Sequence, residues 1–430
     1  MNPRKLVKKL IPRELFCFVE PYGHLVEAFA FNVLNGFPGR GMKVIGVTGT
    51  NGKTTTSFLI HRMLNESGIK TGLISTVGWG TGAEITPQVA HYTSVPVPEL
   101  MRRLKLMKQE GTEWLVLETT SHALAQHRVF GVPYSVAVFT NLTHEHLAYH
   151  GTFERYRDAK RRLFKIANRH GLKTGIVNAD DPSAQLFADD IATSVSYGVK
   201  KGDVRAKNIK LAASGVTYDV TVGADAYHIK TQIPGSFNVD NSLAALCVGR
   251  VLGLTPSQIE QGIGALPSVE GRMTRIDEGQ NFDLIVDYAH SPDSFEKLFK
   301  DLQPVVKGKL IAVFGSLGGG DTAKRPIQGE LAGTYADEIV LTEEDDRNED
   351  PQAILDEIAA GATKAGKKLN TDLFMVHDRT EAITFAIKRA KAGDTILLLG
   401  KGHEKSIESA DGERPWNEAA VARAALVNLK

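Results

Sequence analysis

The sequence predicts an α/β protein of more than one unit, with parallel sheets buried between layers of helices. Two observations carry that prediction. Short runs rich in Val, Ile and Leu recur between longer stretches of helical periodicity, and such runs read as strands covered on both faces. Glycine loops and isolated polar residues fall directly after these runs, where open parallel sheets collect ligands. The length of 430 residues, at roughly 150 per domain, suggests about three domains. A composition of 42% hydrophobic and 23% charged residues describes a globular chain, not a disordered, collagenous or membrane-embedded one. Fifty-one Lys and Arg against 50 Asp and Glu leave a formal charge of +1, so no global field recruits nucleic acid, and any anion must be held at a local site.

Taken in order, the chain begins with Arg4, Lys5, Lys8, Lys9 and Arg13 and then an apolar stretch over 15–37. Glu20, Pro21, His24 and Glu27 interrupt that stretch, which has no cleavage-site pattern and no unbroken span of about 20 apolar residues. A short helical segment docked on the body is expected over 1–42, and a segment resting on a membrane surface is the other reading. Strands are expected at 44–48, 114–118, 135–140, 175–178, 284–288, 310–315, 338–342 and 395–400. Period-two alternation with glycine turns over 203–235 predicts a small antiparallel insert. The stretch PSVEGRMTRI, 267–276, separates a helical pattern from a new series of strands, which places a boundary near Glu270 and units at 43–269 and 270–430. Two cysteines, Cys17 and Cys247, make neither a disulfide framework nor a zinc site, and the cytoplasm is the expected compartment.

GVTGTNGKTTT, 46–56, follows a strand and opens a helix. Gly49 and Gly52 let backbone N–H groups of the loop through Thr50 and Asn51 turn inward. The helix start at Lys53, Thr54 and Thr55 adds partial positive charge; Lys53 reaches terminal phosphates, and the Thr54 hydroxyl can ligate Mg²⁺. ATP or GTP is implied, although Val47 occupies the place of the first glycine in the general pattern.

TGTNGKTTT resembles the ATP site of the Mur ligases, the amide-forming enzymes of peptidoglycan precursor synthesis, to which folylpolyglutamate synthase is related. LETTSHAL, FTNLTHEHLAYHG, NADD, PGSFNVDNSLAAL, VEGRM, VDYAHSPDSFEK, AKRP and GKGHE follow in the order of the branch that adds a diamino acid as third residue. The resemblance implies a central P-loop ATPase domain and a Rossmann-like C-terminal domain. It also implies ATP and Mg²⁺ as cofactors, a small-molecule muropeptide acceptor and an amino acid as substrates, and a monomer.

Glu118 ends a strand, where a carboxylate is either a cap for the next turn or a metal ligand; the resemblance selects the ligand. After the following strand it selects His146 as a further Mg²⁺ ligand, with Glu145 and Ala148 departing from the family pattern. Lys160 falls on the apolar stripe of the helix FERYRDAKRRLFKIA, formed by Phe153, Tyr156, Leu163, Phe164 and Ala167. A lysine there either snorkels to solvent or, as the resemblance implies, is carbamylated by CO₂ and joins the metal site. From the second unit, the resemblance brings Arg272 to the γ-phosphate and Asp287 to ribose, with Tyr288 and His290 beside it. It sets Asn238 or Asn241 at adenine, and the glycine loop through Lys324, Arg325 and Pro326 as cleft lining. Thr93, Ser94, Thr119, Thr120, Ser121 and Arg128 fall on the acceptor side.

Taken alone, EEDDRNED is a solvated acidic loop. Aligned to the family's Asp-Asn-Pro-Arg motif, Arg347 grips an amino-acid carboxylate while Asp345 and Asp346 replace Asn and Pro. Glu404, in GKGHE, matches a residue that recognises the distal amine of diaminopimelate-type substrates, with Gly400 on the same substrate side, and lysine, ornithine and diaminopimelate are all open. Only 47 residues precede Thr48, so the family's UDP-binding domain is expected in cut-down form. That leaves a lipid-linked acceptor, approached through the apolar N-terminal segment, or a folylpolyglutamate-like acceptor as alternatives. A non-catalytic nucleotide-binding scaffold is the rival from another class.

Overall fold

The computed structural model describes residues 13–88, 94–143, 147–212 and 214–428. Its first sheet is built from β1 (Lys43–Thr48), β2 (Thr71–Ile74), β3 (Gly78–Thr81), β4 (Glu84–Pro87), β5 (Trp114–Glu118), β6 (Tyr134–Phe139), β7 (Thr174–Asn178), β8 (Thr193–Gly198) and β9 (Val204–Arg205). The strand order is β4-β3-β2-β5-β1-β6-β7-β8-β9, parallel except for the β2-β3-β4 meander. Alternate side chains serve opposite faces. Ile45, Val47, Val116 and Val138 join the helices Lys53–Glu66 and Phe237–Val251, while Val44, Leu115, Leu117 and Phe139 join the helices Val97–Gln109 and Phe153–Ala167. Both faces are therefore covered, which is why these strands carry continuous apolar runs.

The expected insert is present as β10 (Lys207–Ala212), β11 (Gly215–Val222) and β12 (Asp225–Thr231), three antiparallel strands. After the helix Pro256–Gly264 and an isolated bridge between Val269 and Arg272, a second sheet begins. It comprises β13 (Thr274–Ile276), β14 (Asp283–Asp287), β15 (Leu310–Phe314), β16 (Glu338–Leu341), β17 (Leu373–Met375) and β18 (Thr395–Leu399), in the order β13-β14-β18-β15-β16-β17. Only β13 runs antiparallel to its neighbour. A hairpin, β19 (Ser406–Ser409) and β20 (Gly412–Pro415), follows. The four outermost strands are short: β4 has 4 residues, β9 has 2, and β13 and β17 have 3 each.

Register positions the site. Val47 lies opposite Glu118 and Thr48 opposite Phe139, so the loop at 49–52, Glu118 and the segment beginning at Thr140 leave one edge together. In the second sheet Asp287 lies opposite Leu399 and Phe314 opposite Leu341, which brings 288–290, 315–318, 342–347 and 400–404 to one edge. At the N-terminal end the helix Arg13–Leu34 packs against Val97–Gln109.

Candidate active site

The two carboxyl edges meet across a cleft of about 1130 Å³ lined from both units, roomy enough for a nucleotide and a second substrate. The phosphate loop forms one wall. Gly49 (φ +151°) and Gly52 (φ +82°) have backbones that favour glycine, and a Cβ would stand 1.9 Å from Thr140 Oγ1 at the first and 2.2 Å from Asn241 Oδ1 at the second. Thr140 Oγ1 donates to the Asn51 carbonyl at 2.7 Å, and the Asn51 N–H donates to Asn141 Oδ1 at 2.9 Å. No side chain caps the helix that starts at Lys53, which leaves its first N–H groups directed at an anion site. Lys53 Nζ donates to the Thr50 carbonyl at 2.6 Å.

Beside the loop, Thr54 donates its hydroxyl to Glu118 Oε1 and Oε2 at 3.2 and 3.1 Å. Glu118 Oε2 also accepts from the Thr76 N–H and hydroxyl at 3.1 and 3.3 Å, which fixes the carboxylate plane. Lys160 is buried with Tyr156, Leu163 and Phe164, as its place on the apolar stripe predicts, and does not snorkel to solvent. Its Nζ donates to the Gly49 carbonyl at 2.6 Å and stands 4.5 Å from the Tyr156 ring centre. Tyr156 in turn shares a hydrogen bond of 3.1 Å with Thr50 Oγ1, so helix and loop are tied at two points.

The opposite wall comes from the second unit. Asp287 accepts from the Met273 and Ala289 N–H groups at 2.8 Å each. Burial raises its carboxyl above the ordinary aspartate range, while Arg272 and these two N–H groups pull the other way. Arg272 stacks on Tyr288, with 4.4 Å from guanidinium carbon to ring centre. Burial and Glu404 hold the Tyr288 phenol well above its usual value, so it stays protonated and donates to Glu404 Oε1 at 3.2 Å. His290 Nδ1 meets the Tyr288 carbonyl at 2.7 Å, and Lys324 Nζ donates to the His290 carbonyl at 3.0 Å.

The acidic run is not a solvated loop. Glu343, Glu344, Asp345 and Asp346 are all buried, and cations and donors from later segments reach Glu343, Asp345 and Asp346. Lys401 Nζ, itself buried, sits 2.8 Å from Asp345 Oδ1 and 2.7 Å from Glu404 Oε2. Burial works to lower this ammonium, but Glu404 and Asp345 outweigh it and hold Lys401 above the ordinary lysine range. Asp346 turns away to His377 at 3.1 Å, and Glu343 pairs with Arg414. Arg347, in the left-handed region at φ +55°, places Nε 3.1 Å from Glu408 Oε2.

Of the expected residues, 50–55, Glu118, Thr120, Ser121, Lys160, Asn238, Asn241, Arg272, Asp287, Tyr288, His290, Asp345, Arg347 and Glu404 line the cleft. Gly49, Ser94, Thr119, Arg128, Asp346 and Gly400 stand behind its wall. Thr119 shares a 3.0 Å bond with the buried Tyr134 hydroxyl, and Ser94 shares one with Thr120. Arg128 Nη1 points to the Ser94 carbonyl at 3.5 Å. Asn238 and Asn241 are joined to each other at 2.8 Å, and Asn241 Oδ1 accepts from Thr56 at 3.3 Å. Thr93 and the cluster His144, Glu145 and His146 lie outside the described residues. Thr76 and Lys401 are not evident from the sequence alone, although Lys401 has a signal, a lysine inside the GKGHE motif directly after a strand.

A glycine loop that opens a helix, facing a cluster of charged side chains across a two-unit cleft, is the arrangement of an ATP-using enzyme that joins two substrates. Sequence comparison narrows the class: residues 47–249 match the Mur ligase middle domain and 271–402 match the Mur ligase, glutamate ligase domain. The chain belongs to the Mur ligase family of ATP-dependent, ADP-forming amide ligases. A UDP-N-acetylmuramyl-tripeptide synthetase of Roseiflexus sp. is 43% identical over 408 residues, which cover 92% of this chain and 80% of that protein. A UDP-N-acetylmuramoyl-L-alanyl-D-glutamate--2,6-diaminopimelate ligase of Geobacillus thermodenitrificans is 40% identical over 414 residues, covering 95% and 83%. A solved UDP-N-acetylmuramoyl-L-alanyl-D-glutamate--2,6-diaminopimelate ligase superposes with a TM-score of 0.64 at 31% identity, covering 90% of this chain and 79% of that one. Folylpolyglutamate synthase of Mycobacterium tuberculosis, at 16% identity, shares the fold with a TM-score of 0.73 over 94% and 95% of the two chains.

Proposed function

We propose that this chain adds a diamino acid to the terminal carboxylate of a muramoyl-dipeptide acceptor in peptidoglycan precursor synthesis, through an acyl phosphate. The observation that carries the reading is one cleft with Lys53, Thr54 and Glu118 on one wall and Asp345, Arg347 and Glu404 on the other. The likeness to a tripeptide synthetase and a diaminopimelate ligase supports the same substrates. In the reaction, an acceptor carboxylate oxygen attacks the γ-phosphorus of ATP and the bond to ADP breaks. The neutral amine of the amino acid then attacks the acyl carbon, loses its proton and expels phosphate.

The uncapped helix start receives phosphate oxygens on its N–H groups, and Lys53 adds a cation beside them. Thr54 and Glu118 offer the hard oxygen donors that Mg²⁺ prefers, with Thr76 orienting the carboxylate, and they fit that ion. A bound Mg²⁺ supplies neutralisation of the repulsion between triphosphate and carboxylate. Lys160 becomes a further oxygen donor if its neutral amine adds to CO₂ and releases a proton, and the resemblance assigns His146 to the same metal site. Arg272, held flat on Tyr288, neutralises charge on the transferred phosphoryl group from the second unit. The resemblance assigns Asp287 to ribose and Asn238 or Asn241 to adenine, and all three line the same cleft.

On the amino-acid side Arg347 receives the carboxylate. The carboxylates of Glu344, Asp345, Glu404, Glu408 and Glu413 outnumber the cations Arg347 and Lys405 on this wall and Lys401 behind it, which favours a substrate with a cationic side chain. A monomer is what the resemblance implies. No helix among the described residues is long and apolar enough to cross a membrane, and ATP chemistry with a thiol at Cys247 suits the cytoplasm. Phosphate release tests the reading, with amino acids screened against UDP-linked and lipid-linked muramoyl dipeptides and a glutamyl folate. Release that requires both a muramoyl acceptor and a diamino acid is expected. Release independent of the amino acid would overturn the ligase reading, and preference for a glutamyl folate would overturn the acceptor.

A further inference from the structure

Over residues 20–34 the helix Arg13–Leu34 presents its apolar side outward. His24, Ala28 and Asn32 are buried against the body, and Asn32 Nδ2 donates to the Phe130 carbonyl at 2.9 Å. On the opposite side Val26 is 69% exposed, Phe29 53%, Val33 51% and Leu34 76%, at spacings of three and four that align along one face. Phe130 extends the patch, its ring 6.3 Å from that of Phe29. No exposed residue between 20 and 34 carries a charge. A surface helix ordinarily shows water its charged side, so this arrangement marks a contact surface.

Just ahead of the stripe the sequence places Arg4, Lys5, Lys8, Lys9 and Arg13, with no acid before Glu14, in a chain whose formal charge is only +1. We propose that this stripe docks the protein on an anionic lipid surface, with the helix lying in the plane of the interface and the positive charge of the preceding sequence favouring anionic lipid. The helix does not meet the requirements for crossing a bilayer, which suits a monotopic contact. Charge complementarity selects lipid over a second copy of this chain, since a second copy would leave the basic run without a counter-charge. The helix is also tied to the segment that leads from cleft residue Ser121, with Gln126 Nε2 donating to Glu20 Oε2 at 3.4 Å. Docking is independent of the reaction proposed above.

The test is flotation of the full chain with vesicles of phosphatidylcholine alone or with roughly one-third phosphatidylglycerol, at low and high salt. At least ~10-fold more binding to the anionic vesicles, weakened by salt, is expected from paired apolar and basic contacts. The double variant Val26→Glu/Phe29→Glu should lose that binding while circular dichroism and ATP binding stay unchanged, and Lys8→Glu/Lys9→Glu should weaken it. Failure of the wild-type chain to bind anionic vesicles at low salt would overturn the proposal. So would a sedimenting dimer that Val26→Glu/Phe29→Glu dissolves without any vesicle binding by the parent, because the stripe would then belong to a second copy.

Discussion

Asn51, in the phosphate loop, donates its side-chain amide to Asp293 Oδ2 at 2.9 Å, and Asp293 stands in the first turn of the helix Pro292–Leu302 of the second unit. A neutral donor on one unit and a carboxylate on the other thus join the walls of the cleft. Removing such a bond shifts a two-state balance by about 1 kcal/mol, or roughly fivefold. Asp293→Ala should therefore broaden the distribution of distances between labels on the two units, read by single-molecule energy transfer. An unchanged distribution would show that this bond does not set their arrangement.

Glu118→Gln separates chemistry from folding. The glutamine keeps the size of the side chain and an oxygen for the Thr76 N–H and hydroxyl, so unfolding in urea should stay within ~1 kcal/mol of the parent. Loss of the negative charge beside Thr54 should lower ADP formation by about 100-fold or more.

Lys160→Ala should lose activity that bicarbonate cannot restore but a small carboxylic acid partly rescues, since the acid can enter the space beside the Gly49 carbonyl. Initial rates across a series of short carboxylates check this. A full parental rate in the variant would remove any need for a carbamate.

Lys401→Met leaves Asp345 and Glu404 without their shared cation and should destabilise the second unit by about 3 kcal/mol. Glu404→Gln keeps the hydrogen bond from Tyr288 and should instead raise KM for the diamino acid with little change in KM for ATP. Comparing urea unfolding with the two KM values distinguishes the roles.

Two buried groups give the stability opposite slopes with pH. Burial, with Asp180 nearby, pushes the Asp240 carboxyl from its ordinary 3.8 up to about 7. The folded chain then binds the proton more tightly, so stability falls as pH rises from near 4 to 7 and levels above. Burial lowers His61 from 6.5 to about 4, so its share of stability is lost as pH falls through that window. Asp240→Asn removes the first slope and should stabilise the chain above pH 7 by up to about 4 kcal/mol, with no gain below about pH 4. Urea unfolding of parent and variant across pH shows the difference directly.

The cores of both sheets were legible because β5, β15 and β18 are covered on each side and read as WLVLE, LIAVF and TILLL. The strands β3, β4, β19 and β20 were not, since GWGT, EITP, SIES and GERP owe their extension to neighbours rather than to composition. The phosphate loop is local, so Gly49 through Thr55 stood out as a motif. Thr76, by contrast, acquires meaning only when β2 and β5 lie side by side. For the same reason the acidic run 343–346, taken alone, reads as a solvated loop, and only its likeness to the family motif points to a site. Its partners Lys401, Arg414 and His377 are supplied by tertiary folding from distant segments.

The brevity of the outermost strands has a further consequence. A long flat edge offers a neighbouring chain a row of free backbone donors and acceptors, the template from which fibrils and swapped oligomers grow. Here β4 stops after 4 residues at Pro87 and β9 after 2, while β13 and β17 have 3 each, so neither sheet provides enough register for a foreign strand. In crowded surroundings the edges of these two large sheets should therefore not template aggregation, and the longer edge strand β10 of the insert, with 6 residues, carries Lys207 and Lys210 instead.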